Sequence, residues 1–110
     1  MRRATGAGQR IHRITFERAT VTEDAHGGEV ETWLPLDGRW SKAVFGTGQE
    51  RREAAQTGAS QVATFIVLAD PLTRTITARD RILFSGGTWN ITSIVPWGRS
   101  EIDISAVMAR

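Results

Sequence analysis

The chain has 110 residues, the size of one domain and too few for two ordinary cores. It contains no cysteine, which excludes disulfides and thiolate metal sites, and no apolar run approaches the roughly 18 residues a membrane helix needs. Fourteen bases against twelve acids leave a net charge of only +2, so the pI near 10.4 reflects an arginine-rich base set and is no measure of a nucleic-acid footprint.

Residues 1–6 are basic at the start but have no apolar stretch behind them, so no signal peptide is expected. Residues 1–9 are small and polar and read as a flexible arm ahead of a β domain spanning 10–110. Charge is segregated along the chain. Arg2, Arg3, Arg10, Arg13 and Arg18 stand against Glu17 alone, whereas residues 19–38 hold Glu23, Asp24, Glu29, Glu31 and Asp37 with no base. That pattern fits docking between unlike-charged neighbours as well as a plain solvated surface.

Ile14-Thr15-Phe16 between polar neighbours predicts a first strand, and Asp24-Ala25-His26-Gly27-Gly28 is turn chemistry. Val30 to Leu34 predicts a second strand, stopped by Pro35-Leu36-Asp37-Gly38, and Trp40 to Phe45 a third. Residues 46–60 read as a long, partly helical insertion: Gly48-Gln49-Glu50-Arg51-Arg52-Glu53 is polar, rich in helix formers and without an apolar stripe. Val62 to Leu68 is apolar on both phases, which predicts a strand buried on both sides. Ile82 to Ser85 and Thr88 to Ile91 read as a hairpin joined by Gly86-Gly87. Glu101 to Ala106 alternates cleanly and predicts a half-buried closing strand. Six to seven short antiparallel strands with one long loop argue for an all-β fold, a small β-barrel.

Nothing in the sequence has the grammar of catalysis. His12 and His26 each stand alone, no Gly-x-Ser-x-Gly elbow is present, and Gly6-Ala7-Gly8 and Gly46-Thr47-Gly48 lack the strand and amphipathic helix that a phosphate loop requires. Asp80 with Glu101 or Asp103 could pair across strands for acid–base work, but polar positions on an exposed strand face are the favoured reading. No catalytic residue, metal site or cofactor is therefore expected. Among the four tryptophans, Trp40 and Trp89 lie inside strands and are expected in the core. Trp33 and Trp97 border turns and are candidates for a subunit interface.

The ordered features resemble those of the phage head–tail joining proteins, also described as head closure or stopper proteins. Arg10-Ile11, Asp24 with Gly27-Gly28, and Thr32-Trp33 are similar to that family's opening. Trp40-Ser41-Lys42-Ala43-Val44 followed by Gly48-Gln49-Glu50 is similar to its Trp-Ala-x-Val and Gly-x-Glu segments. Thr64 to Val67, Asp80-Arg81-Ile82, Phe84, Gly86, Trp89-Asn90-Ile91 and Gly98-Arg99 complete the order, so the match runs from residue 10 to 107. Two positions depart from the pattern: Ser41 replaces the usual alanine, and Leu68 stands where arginine is common.

The resemblance implies a virion protein made in the bacterial cytoplasm, with no membrane partner. It implies a homo-oligomeric ring, hexamer or dodecamer, in the neck of a phage or gene-transfer-agent particle. A portal adaptor protein would sit above it, a tail terminator or tail tube protein below, and packaged double-stranded DNA in its lumen. It further implies that the loop carrying Gly48, Gln49, Glu50, Arg51, Arg52 and Glu53 points into that lumen. Charge there is balanced, so closure by crowding and inter-subunit pairing is expected rather than tight phosphate binding. The alternatives are a tail terminator or tail completion ring and, in another class, an OB-like nucleic-acid-binding barrel, which would need aromatic side chains on an exposed strand face.

Overall fold

Alternating apolar and polar residues, rich in β-branched and aromatic types, form six strands in the computed structural model, which describes residues 7–56 and 58–109. They are β1 (His12–Glu23), β2 (Glu29–Phe45), β3 (Ala59–Leu68), β4 (Arg81–Phe84), β5 (Gly87–Trp97) and β6 (Glu101–Ala109). One helix, α1 (Gly48–Ala55), stands between β2 and β3. All pairings are antiparallel, in the order β1-β2-β3-β6-β5-β4, and β4 closes the ring on β1. The expected small all-β barrel is thus observed. Residues 1–6, most of the expected N-terminal arm, lie outside the described residues, and Ala7–Gln9 form a short 3₁₀ turn.

The barrel is filled by the inward side chains of each strand. Ile14 and Phe16 enter from β1, Phe65 and Val67 from β3, Ile82 from β4, Trp89 and Ile91 from β5, and Ile102 and Ile104 from β6. Phe65 meets the rings of Phe84 and Trp89 near edge-on, with centroids 5.5 Å away in each case. Trp89 is therefore in the core, as expected. Each large side chain buried this way contributes about 1.5–3 kcal/mol relative to remaining in water.

Four details differ from the sequence reading. First, the segments 30–34 and 40–45 are one strand, because Pro35 does not stop β2. Pro35 sits beside a bulge where Thr15 pairs with Gly38 but Glu17 pairs with Pro35, so the ladder is already interrupted there. β2 also has no second neighbour before Lys42, where its pairing with β3 begins. An edge position next to a bulge is where a strand tolerates proline.

Second, Trp40 is not in the core; it is 54 % exposed. The extra residue of the bulge rephases β2. Trp40 pairs with Arg13 and Trp33 with Ala19, so both tryptophans share the face of β1 turned away from Ile14 and Phe16. The inward positions of β2 fall instead to Ser41 and Ala43. Third, β3 is not buried on both sides throughout. Its inner face is covered, but on the outer face Ile66 is buried, Val62 half-buried and Leu68 47 % exposed. Fourth, the turn of the β4–β5 hairpin is Ser85-Gly86 rather than Gly86-Gly87. Both turn residues have positive φ (52° and 78°), the type I′ geometry that suits the strand twist. Gly87 already pairs with Phe84 in the ladder.

Two tight local arrangements fix the barrel ends. Gly46 donates its N–H to the Val62 carbonyl at 2.9 Å, and a Cβ on Gly46 would lie 2.1 Å from Val62 Cγ2. At the other end, Arg39 Nε donates to Asp70 Oδ2 at 2.8 Å and ties β2 to the segment after β3. Asp70 Oδ1 also accepts from the backbone N–H of Thr73 at 2.8 Å. Burial alone would raise the Asp70 carboxyl. The hydrogen bonds from Arg39, Thr73 and Leu72 and the Arg39 charge outweigh it, so its pKa falls below the ordinary 3.8.

Two predictions follow from these contacts. Gly46→Ala should lose about 1–3 kcal/mol in denaturant unfolding, because the new methyl overlaps a side chain held in the sheet. Gly48→Ala, whose nearest neighbour would be Arg52 Nη1 at 3.6 Å, should cost nothing by the same measurement. The Asp70 contribution is fully present above the unfolded carboxylate value and is lost as pH falls through the lower folded value. Asp70→Asn should therefore flatten the fall in stability below about pH 4. An acid-unfolding curve as steep as that of the parent chain would contradict this.

Candidate functional site

Two segments project from the barrel, at opposite ends of β2. The first is the insertion after Phe45. Thr47 caps α1, its Oγ1 accepting from Glu50 N–H at 3.2 Å, and the Thr47 hydroxyl also lies 3.3 Å from Glu50 Oε1. Thr47-x-x-Glu50 is a capping box, a signal that fixes where the helix starts. Gln49 Nε2 donates to Glu53 Oε1 one turn on at 3.4 Å. No residue of α1 is buried, and among the described residues neither Arg51 nor Arg52 takes part in an ion pair. The structure therefore places Gly48, Gln49, Glu50, Arg51, Arg52 and Glu53 together on one short helix at the end of the barrel. The last part of the expected insertion, from Ala59, belongs to β3.

The second projection is a hairpin arm that the sequence reading treated as ordinary strands and a turn. β1 leaves its last partner in β4 at Glu17, yet β1 and β2 stay paired to Glu23–Glu29. The arm spans residues 18–34, and every residue from 21 to 32 is exposed. Its tip is built by Asp24, whose Oδ1 accepts from the N–H of His26 and of Gly28 at 2.8 Å each, with Gly27 at φ 80°. The arm gives the molecule a longest dimension of 56 Å and a radius of gyration of 15.2 Å, against about 13 Å for a compact chain of this length. The signal that could have revealed it is the run 19–34, where four acids and no base share two strands whose largest apolar side chains are Trp33 and Leu34.

Trp33 and Trp97 lie on different elements. Trp33 is half-buried at the base of the arm. Arg81 stacks over its ring at 3.9 Å and donates to Glu17 Oε1 at 2.7 Å, so its own subunit covers one face of the tryptophan. Trp97 ends β5 beside Gly98 (φ 62°) and is 40 % exposed. A patch missed by the sequence reading lies on the outer wall: Ile11 (64 % exposed), Trp40 and Leu68 line one cleft with Arg10, and Arg13 stands over the Trp40 ring at 5.7 Å. Arg10 reaches Glu101 at 3.8 Å, which draws the segment before β1 toward the start of β6.

The carboxylates considered for acid–base work have separate settings. Asp80 is buried, accepting from Arg18 Nε and Nη2 at 3.1 Å each and from the N–H of Thr77 at 2.9 Å. Glu101 faces Arg10, and Asp103 occupies the β6 position between Ile66 and Val95. His12 sits edge-on to Phe84 at 5.3 Å, and His26 is exposed at the arm tip. Among the described residues no group of three or more His, Asp or Glu side chains could hold a metal ion. What this arrangement offers chemically is contact: a capped polar helix, an acidic ribbon and apolar patches edged by arginine.

Comparison with known proteins agrees with that character. The model of the phage head completion protein family matches residues 6–107. No curated protein matches the chain. Among solved structures, the barrel is similar to the solution structure of protein SF1141 from Shigella flexneri 2a. The TM-score is 0.71 at 22 % identity, covering 94 % of this chain and 96 % of that one. It is also similar to a chain in the virion of a native gene transfer agent particle. There the TM-score is 0.65 at 19 % identity, covering 89 % and 93 %. With nearly its whole length matched by the family model, the chain belongs to the phage head completion protein family and is a structural component of a phage or phage-like particle.

Proposed function

We propose that the chain is the stopper of the neck: a homo-oligomeric ring that docks beneath the portal adaptor, closes the DNA channel after packaging and presents a platform to the tail. The observation that carries this reading is α1, a polar helix lying against β3 at the end of the barrel with none of its residues buried. An eight-residue helix is marginal in water by itself. Its stability improves when neighbours crowd around it, and a ring brings several copies to one axis. Glu50 and Glu53 beside Arg51 and Arg52 then pair across subunits as readily as they meet DNA. Closure in this reading is steric.

Heads made without the chain should fill and then lose their DNA, and adding the purified protein to freshly filled heads should restore both retention and tail joining. The chain should bind isolated heads without any tail protein present. Binding to isolated tails alone would instead favour the terminator role. Deleting residues 48–55 and bridging the gap with a short glycine linker should leave the thermal transition nearly unchanged while DNA leaks from filled heads. Heads that stay filled with the shortened chain would remove the channel-closing role from α1.

A further inference from the structure

Arg18 and Trp33 anchor the base of the arm to its own subunit, but every residue from 21 to 32 is exposed. A two-stranded ribbon has no face to bury, and isolated hairpins are marginally stable at best in water. Here both edges are open beyond Glu17 and before Lys42, and Val21 (61 % exposed) and Val30 lie in water. Acids flank both valines: Glu31 is the cross-strand partner of Val21, Glu29 precedes Val30, and Glu23 and Asp24 close the tip.

A complementary surface lies beside the β5–β6 turn. A groove of about 440 Å³ lies between the segment after β3 and the β5–β6 turn. Ile76, Ile94 and Ile102 line it together with Pro96, and Arg74 and Arg99 stand at it. Both arginines are exposed, and among the described residues neither takes part in an ion pair. In the ring order β1-β2-β3-β6-β5-β4, the β1–β2 pair stands across the barrel from the β5–β6 pair. Arg18, at the foot of the arm, donates to the carbonyl of Thr75 at 3.1 Å, so the arm and the groove lie on the two sides of the segment that carries Arg74 and Ile76. Over residues 18–34 one base and four acids give the arm −3, and a net charge of +2 overall leaves +5 for the rest of the chain, so the arm is drawn to a second copy by charge of opposite sign.

We infer that the hairpin arm of one copy docks, through Val21 or Val30 and the acids around them, into the Arg74–Arg99 groove of the next copy. Donor and acceptor are different surfaces, so the contact is head-to-tail, the kind that repeats around a ring. The inference rests on the ring proposed above and names the surfaces that make it.

Because the chain has no cysteine, disulfide trapping reads the contact cleanly. Chains carrying Pro96→Cys together with either Val21→Cys or Val30→Cys, oxidised at high concentration or on filled heads, should give a ladder of cross-linked multimers. Each single variant should stop at dimer. All three positions are exposed, so the barrel should fold, which circular dichroism checks. In parallel, Arg74→Glu with Arg99→Glu should weaken self-association at least tenfold, and adding Glu29→Arg with Glu31→Arg should restore it. A chain that associates but shows neither the ladder nor the charge-swap rescue overturns this docking and leaves the ring intact. A chain that does not associate, alone or on heads, overturns the ring reading and this inference with it.

Discussion

β1 and β2 are longer than the barrel they help to close, and the rest of the molecule is arranged around that mismatch. Within the ring each strand has two neighbours and an inner face, and the hydrophobic core rewards both. Past Glu17 and before Lys42 those neighbours are gone, yet the two strands continue as a pair. The bulge opposite Phe16 is the hinge of this design. It lets the strand pair depart from the barrel, and it turns Trp33 and Trp40 to one side. Each ring then carries a guanidinium, Arg81 over Trp33 and Arg13 over Trp40. The tryptophans thereby serve as outer braces of the arm and wall rather than as core.

The barrel itself was legible in the sequence because its inward positions obey strand alternation. Phe65 and Val67, Trp89 and Ile91, and Ile102 and Ile104 all fall where a period of two puts them. What could not be read was phase across a bulge. One extra residue in β2 flips every later side chain, so Trp40 and Ser41 exchange the faces that their hydrophobicity suggests. Pro35-Leu36-Asp37-Gly38 reads as a stop because local chemistry says so. Only the missing second neighbour, a fact of topology, permits the strand to run on.

The insertion was legible for the converse reason. Lacking an apolar stripe, residues 48–53 had nothing to bury, and the helix they form is indeed exposed. The arm escaped notice because its residues are good strand formers, and propensity does not report whether a strand has a sheet to join. Its charge did carry the information. A strand pair with acids on both members and no base nearby is poorly suited to the middle of a sheet and well suited to a partner of opposite sign.

That single sign also decides which partner an arm avoids. Two exposed ribbon edges are templates for pairing with each other, and arm-to-arm pairing would give a two-fold dimer that closes on itself and leaves the groove empty. Glu23, Asp24, Glu29 and Glu31 oppose that pairing by like-charge repulsion, while Arg74 and Arg99 attract the same residues to the groove. Repulsion between arms and attraction to the groove thus act in the same direction. Together they bias the chain from the symmetric contact that would end assembly toward the head-to-tail contact that continues it.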